Sequence, residues 1–446
     1  MRQWLLILLV VLAGLRVAGS ARAQAPQASP AEQEAAAEQT PEKEGETEAD
    51  RILGVLGSYE RAALAYALKK RGLEIEPEPE GKTIGRVHVF NMDVFGKAEG
   101  FLRVVNFLHI TTREHVIERE VLLRPGNPWK RDLVNETRRR LKDPLFTSFA
   151  AVAPVKSEMP GGVDVLVVTR DLWSLRTNMS FEYVDALLTE LHFSVAENNI
   201  LGLRKHGAFS FDMTQGNYSL GPQYIDKAVG GTRLRLSAFA RAIFAREDSA
   251  FEGTSSNASL VYPLWRLASL WGGAITFRHF DSTVRSFLGT GLRTYDNPDT
   301  EEVEEIPFIY GLRTANLETN GVRSIGDKVK QRFTIGHQLS LTRPSFRDDF
   351  VGNQVDRDAF ERDVFPRSER VSALFLRYNL FTPKFTVYRN LNAFRLAEDV
   401  RLGPEISASV TFANQAIGSE FDFTRLSLAG GWAFDIAEDG FIKLSG

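Results

Sequence analysis

Glu405-Ile406-Ser407-Ala408-Ser409-Val410-Thr411-Phe412 reads as one strand with two unlike faces. Successive side chains of a strand point to opposite sides. Ile406, Ala408, Val410 and Phe412 therefore oppose Glu405, Ser407, Ser409 and Thr411. The pattern returns in Arg425 to Phe434, where Leu426, Leu428, Trp432 and Phe434 oppose Arg425, Ser427, Ala429 and Gly431. It returns again in Arg233 to Ala242: Leu234, Leu236, Ala238 and Ala240 oppose Arg233, Arg235, Ser237 and Arg241, with Phe239 breaking the rule. From Arg176 to Gly446 such segments, each about ten residues long, alternate with turns. Ordinary strands average about 5–6 residues, whereas a strand that crosses a bilayer needs about 9–11. The length class favours a membrane β-barrel over a soluble β-sandwich, which shares the alternation but uses shorter strands.

The N-terminus gives this reading its setting. Arg2, the apolar run Trp4 to Leu15, and Ala21-Arg22-Ala23 before Gln24 form a secretory signal with an A-x-A cleavage site, spanning 1–23. The run is too short for a membrane anchor, and Arg16 interrupts it. Residues 24–50 are rich in Ala, Pro, Gln and Glu and carry no aromatic residue, so they form a disordered acidic linker. Residues 51–81 hold a helical segment, with Ile52, Leu56, Tyr59, Ala63 and Tyr66 at helical spacing and Gly72 as its stop. The chain has 446 residues, 43% of them hydrophobic, no cysteine and a formal net charge of −3. The missing cysteines exclude disulfides and thiolate metal sites, and the near-neutral charge gives no electrostatic case for nucleic acid.

Residues 82–170 read as strand, helix, helix, strand, strand. Thr83 to Phe95 is a strand around Ile84, Val87 and Val89. Thr111 with Glu114 has capping-box spacing and opens the first helix, which Pro125-Gly126 ends. Asn127 caps a second helix with Pro128 at its first position. That helix places Leu133, Val134, Thr137 and Leu141 on one side and turns Arg138, Arg139 and Arg140 to solvent. Phe146 to Val155 and the β-branched run Val163 to Thr169 complete the unit.

This order resembles a polypeptide-transport-associated (POTRA) domain. The run Asn106-Phe107-Leu108-His109-Ile110-Thr111-Thr112-Arg113-Glu114-His115-Val116-Ile117-Glu118-Arg119-Glu120-Val121-Leu122-Leu123-Arg124-Pro125-Gly126 is similar to the stretch in which a POTRA enters its first helix and reaches the Gly-containing turn. Leu141 to Val152 is similar to the family's entry into its second strand. Asn198-Asn199-Ile200-Leu201-Gly202, Tyr218-Ser219-Leu220 and Tyr224-Ile225-Asp226 resemble the first barrel hairpins of the BamA/TamA outer-membrane assembly superfamily. The resemblance spans about residues 82–446. There are departures. One POTRA is clear where members carry one to several, and the family's Val/Ile-Arg-Gly-Phe/Tyr loop motif is absent, Val284-Arg285-Ser286-Phe287 being a poor copy. About 12 to 14 strands are legible. Phe441 to Gly446 reads as the start of a further strand, so the chain is expected to be a truncated copy of a longer protein.

The resulting expectation is an α+β POTRA domain (βααββ) at 82–170, followed at 171–446 by an antiparallel transmembrane β-barrel, incomplete at the C-terminus. The resemblance implies an assembly and insertion factor in the bacterial outer membrane, with the POTRA in the periplasm. Its partners would be unfolded outer-membrane clients, outer-membrane lipids, and periplasmic chaperones or assembly lipoproteins. An exposed strand edge adds an extended client by backbone pairing. The expected client-binding residues are Val163, Val165 and Val167 at a POTRA edge and Thr177, Met179 and Phe181 on the first barrel strand. Alternatives are a polypeptide secretion transporter and a passive pore or adhesion barrel.

No catalytic constellation, cofactor motif or metal motif stands out, so no enzyme activity is expected. His88, His109, His115, His192, His206, His279 and His337 are scattered, without HExxH spacing. Glu301-Glu302, Glu304-Glu305 and the acidic run of Asp348, Asp349, Asp356, Asp358 and Asp363 fall in long loops and read as solvated, with a divalent cation as the sharper possibility. Arg233, Arg235, Arg241, Arg278 and Arg377 are assigned to the lumen face, because a charge facing mid-bilayer costs about 2–4 kcal/mol.

Overall fold

A computed structural model describes residues 47, 49–50, 54, 56–94, 109–143, 145–301, 303–389, 397–437 and 440–446. The signal peptide at 1–23, nearly all of the linker at 24–50, Asn106-Phe107-Leu108 and Glu302 lie outside the described residues. No helix among the described residues is long and apolar enough to cross a membrane.

An α/β module comes first. Its elements are α1 (Ser58–Arg71), β1 (Thr83–Met92), α2 (Glu114–Glu118), α3 (Arg131–Leu141), β2 (Thr147–Lys156) and β3 (Gly162–Asp171). The sheet order is β1-β3-β2, with β1 parallel and β2 antiparallel to β3. On one face, Ile117, Val121, Trp129, Val134 and Leu141 pack against Val163, Val165 and Val167. On the other, Leu56, Leu64 and Ala67 pack against Leu166 and Val168. A strand covered on both faces has no wet side, which accounts for the near-continuous apolar run of β3. Asp164, which interrupts the run, is satisfied by the Arg86 N–H and by His88 Nε2 at 3.0 Å.

Three expectations are corrected here. α2 begins at Glu114 with Arg113 as its N-cap, and the Thr111 hydroxyl donates to Asp93 instead of closing a capping box. Asn127 and Pro128 do not open α3. The segment is a strap on β1: Gly126 N–H donates to the Ile84 carbonyl, Trp129 N–H to the Lys82 carbonyl, and the indole is fully buried. Burying that indole takes precedence over Pro128's preference for a first helical turn. Lastly, β3 is the central strand. Val163, Val165 and Val167 are 0% exposed, with backbone neighbours on both sides, so they form no edge and offer nothing to an added strand.

The remainder is a fourteen-stranded sheet. It contains β4 (Leu175–Val184), β5 (Leu187–Glu197), β6 (Lys205–Met213), β7 (Asn217–Asp226), β8 (Arg235–Ala245), β9 (Phe251–Tyr262) and β10 (Trp271–Arg285). The short pairs β11 (Phe287–Leu288) with β12 (Gly291–Leu292), and β13 (Thr294–Tyr295) with β14 (Ile306–Pro307), stand apart in a loop. The sheet resumes with β15 (Ile309–Ile325), β16 (Lys330–Ser345), β17 (Glu369–Phe381), β18 (Lys384–Arg389), β19 (Ala397–Ala413), β20 (Phe423–Ala437) and β21 (Gly440–Ser445). Neighbours are antiparallel throughout. β17 and β18 line up successively along β19, so they act as one interrupted strand. β4 and β21 share no pairing among the described residues, so the sheet is not closed.

Register aligns the two faces from strand to strand, with Thr319 and His337 interrupting the apolar one between Ile275 and Leu374. Met179 lies opposite Phe193, which lies opposite Phe211, which lies opposite Leu220. Further along, Leu236, Leu260 and Ile275 align, then Phe277, Leu317 and Leu339. Ile335, Leu376, Val410 and Leu426 extend the face towards β21. Many of these side chains are exposed: Met179 by 58%, Leu426 by 78% and Leu428 by 79%. A contiguous apolar surface of this extent requires an apolar surrounding. Tyr262, Trp271, Phe333 and Tyr378 sit near strand ends on the module side, where amphipathic rings suit a membrane interface. The opposite face is polar. There Asp212 accepts from His192 Nδ1 at 2.6 Å and pairs with Arg241 at 2.7 Å. Arg278 lies opposite Asn257 and Asn316, and Arg377 opposite Thr334 and Ser409, as the lumen assignment requires.

The long loops are on the end away from the module, and they are folded. The stretch after β16 carries α4 (Gln354–Asp363), capped by the Asn353 side chain on Val355 and Asp356 N–H. Phe360 of α4 is buried among Ile306, Tyr310, Phe308, Phe346 and Phe350, which joins the two loops. The acidic residues serve this cap. Buried Asp356 accepts from Asn297 Nδ2, Glu304 accepts from the Thr300 hydroxyl, and Arg362 with the Tyr295 hydroxyl holds Asp363 down at about 2. No group of three or more potential metal ligands occurs among the described residues.

Candidate functional site

The turns β5–β6, β7–β8 and β9–β10, together with β18 and β19, meet the module. At the first turn, Asn199 Nδ2 donates to the Ile110 carbonyl at 2.8 Å and to the Thr112 hydroxyl at 3.1 Å. Arg113 N–H donates to the Gly202 carbonyl at 3.0 Å. A Cβ on Gly202 would stand 2.6 Å from the Thr111 carbonyl oxygen, and its φ is +72°, so only glycine allows the two backbones to meet. Leu201 and Arg204 in the same turn also have positive φ, 56° and 54°, a strained geometry of the kind that concentrates at functional sites. The stretch that reads in sequence as a barrel hairpin is also the socket of the module.

The arginines of α3 face the sheet. Arg138 is buried and pairs with Asp399 at 3.6 Å, Arg139 lies over the Phe385 ring at 4.5 Å, and Arg140 pairs with Glu120. This corrects the expectation that all three point to solvent. Arg233 is also corrected: it precedes β8 and reaches into the module. There its guanidinium donates to the Arg119 carbonyl at 2.8 Å and approaches Glu120 at 3.5 Å. Arg140, Arg233 and Arg266 surround the Trp265 indole at 5.1, 4.0 and 4.9 Å. Guanidinium groups stack well on indole, so one tryptophan gathers charge from both sides of the joint. Leu267 N–H closes the third turn onto the Glu136 carboxylate at 2.6 Å.

These groups enclose a cavity of about 70 Å³ lined by Arg119, Glu120, Arg140, Asp143, Phe146, Arg204, Lys227, Arg233, Arg235, Pro263 and Trp265. Burial acts to raise the Glu120 carboxyl, but the pull of Arg140, Arg233 and Arg119 exceeds it and holds the group below the ordinary glutamate value. Asp143 is taken by Lys227. Arg204 is almost fully buried, and burial pushes its guanidinium down. Its guanidinium donates to the Thr147 hydroxyl at 2.9 Å, and its Nε has no hydrogen-bond partner among the described residues.

Beside the cavity, His109 bridges Ser174 at 3.1 Å and Asp171 at 3.3 Å, while Asp171 also accepts from Thr112 N–H. The trio has the composition of a hydrolytic triad. All three are buried, and none lines the cavity, so the arrangement latches the module's loop to the start of β4. His115 makes no contact with it. Val284-Arg285-Ser286-Phe287 is on β10 and β11 at the far end, where Arg285 bonds Glu252 at 2.8 Å.

The proposed client residues of β4 are at the sheet's rim. Thr177, Met179 and Phe181 are exposed on the apolar face, and β4 pairs only with β5 among the described residues. Sequence reasoning found this strand and missed the joint. One signal for the joint was present. Arg138 is four residues after Val134 and three before Leu141, which puts it on the packed stripe of α3.

No family model matches the chain, and no curated protein matches it. Among solved structures, BamA from Haemophilus ducreyi lacking POTRA domains 1–3 shares 11% identity over 82% of this chain and 80% of that one, with a TM-score of 0.35. CdiB from Acinetobacter baumannii shares 10% identity over 97% and 90%, at 0.27. CdiB from Escherichia coli shares 10% over 86% and 80%, at 0.29. At these values the likeness assigns neither family nor function.

Proposed function

We propose that this chain is a bacterial outer-membrane protein that receives unfolded polypeptides at its periplasmic module and assists their insertion into the membrane, by binding and not by catalysis. The observation that carries the reading is the largely apolar face of membrane-length strands, backed by a polar face and joined at one end to a βααββ module. The module end is then periplasmic, and the capped long loops are extracellular. Clients pair with the rim of β4, where Thr177, Met179 and Phe181 flank unpaired backbone groups. Outer-membrane lipids contact the apolar face, and periplasmic chaperones or lipoproteins deliver the client.

The test reconstitutes the full chain in liposomes, with a photoreactive residue at Thr177 and an unfolded barrel precursor added outside. The expected result is a crosslink to the precursor, together with its conversion to a protease-resistant folded form. Steady conductance without crosslink or folding would replace this reading with a passive pore. Capture of a single large secreted chain, with other precursors ignored, would replace it with dedicated secretion.

A further inference from the structure

The cavity at the joint has more positive charge than its surroundings neutralise. Six cationic side chains line it, Arg119, Arg140, Arg204, Lys227, Arg233 and Arg235, against the two carboxylates Glu120 and Asp143. Glu120 is shared among Arg119, Arg140 and Arg233, and Asp143 is engaged by Lys227. Asp171 lies behind Arg204 and already accepts from Thr112 N–H and His109, so counting it still leaves six cations against three acids. Two of these guanidinium groups form no ion pair with a carboxylate among the described residues. Arg204 is 6% exposed, has only a neutral hydroxyl as its side-chain acceptor, and keeps an unpartnered Nε. Arg235 lines the cavity from a solvent-exposed position and has no ion pair among the described residues. Arg204 is buried, its nearby carboxylates Asp171, Asp143 and Glu120 are already engaged by other donors, and such an under-neutralised buried cation marks a place where an anion gains.

We infer that this cavity binds one phosphate group, free or on a lipid headgroup, and that the bound anion fastens the module to the sheet. Size, chemistry and position agree. The volume of about 70 Å³ takes a few waters or one tetrahedral oxyanion. Guanidinium forks match phosphate oxygens in pairs, which lysine does not achieve. Phe146, Pro263 and Trp265 form an apolar wall on one part of the cavity. The cations come from both partners: Arg119 and Arg140 from the module, and Arg204, Lys227, Arg233 and Arg235 from the sheet's turns and β8. One anion between them adds to the attraction that the Glu120–Arg233 and Asp143–Lys227 pairs already provide across the joint. The inference does not depend on what the protein transports.

The experiment titrates inorganic phosphate into the full chain in a zwitterionic detergent with chloride as background, followed by calorimetry and phosphorus NMR. The expected result is saturable one-to-one binding that weakens as salt rises. R235Q should bind about tenfold more weakly, the effect of removing one charge-assisted contact. R204Q should lose binding. If R204Q fails to fold, R235Q decides alone, because its side chain supports no other group. Displacement of phosphate by phosphatidylglycerol nanodiscs but not phosphatidylcholine nanodiscs would place the phosphate on a lipid, and absence of displacement would make it free phosphate. No saturable binding in any format, or unchanged binding in R235Q, would overturn the inference.

Discussion

The α/β module and the large sheet use the same kinds of side chain in opposite ways. Val163, Val165 and Val167 in β3 are fully shielded from solvent, whereas Leu426 and Leu428 in β20 are among the most exposed side chains of the sheet. The module is driven together by removal of apolar area from water, at roughly 25 cal/mol per Å². The sheet gains little that way, because its apolar face has no protein to pack on. Its cohesion comes from backbone ladders, and its apolar face is stable only against lipid. A β-branched strand is therefore not diagnostic of its surroundings. What covers its two faces decides.

The sharpest way to break this comparison is to hollow the module. Trp129→Ala removes a fully buried indole and should cost about 3–5 kcal/mol of module stability, read by denaturant unfolding, with the sheet's heat-modifiable migration intact. The converse change is Leu428→Arg on the apolar face. It should cost about 2–4 kcal/mol of sheet stability in lipid bilayers and leave module unfolding unchanged. Should Leu428→Arg prove neutral in bilayers, the membrane-facing assignment fails.

The joint sharpens the comparison through its pH dependence. The Glu120 carboxyl is held below its ordinary value, so the folded joint binds this proton less readily than the separated chain does. Its stabilising contribution is complete above the ordinary value of 4.5 and is lost as pH falls further, through the lower value of the folded state. Limited proteolysis at the joint should therefore accelerate as pH drops below that point, and Glu120→Gln should show the acid behaviour already at neutral pH. The smallest effect is expected in the loop cap around α4. Asn353→Ala removes the N-cap of α4 at about 1 kcal/mol, seen as faster amide exchange at Val355 and Asp356 and nowhere in the module.

Legibility in sequence followed the range of the interactions. The strands from β4 to β21 were legible because alternation is local: each residue's side follows from its parity, as Ile406 to Phe412 illustrates. The interrupted β17–β18 strand was not, since its continuity exists only in the pairing with β19. β3 was legible as apolar but not as central, because sequence does not state which strand receives partners on both sides. The capping signals at Thr111 and Asn127 were overruled by distant partners, Asp93 in one case and the buried slot for Trp129 in the other.

The sequence by itself determined that this chain carries long two-faced strands after a short α/β unit, and which side chains share each face. Those are consequences of backbone geometry and local periodicity. Only the tertiary structure decided that β3 is sealed, that the long loops fold around Phe360, and that Arg140, Arg204 and Arg233 converge beside Trp265. Residues from separate elements acquire their electrostatic meaning from distances that the order of the chain does not contain. The arginines that alternate like lumen groups or face away from a helix's apolar stripe became a joint because two surfaces met there.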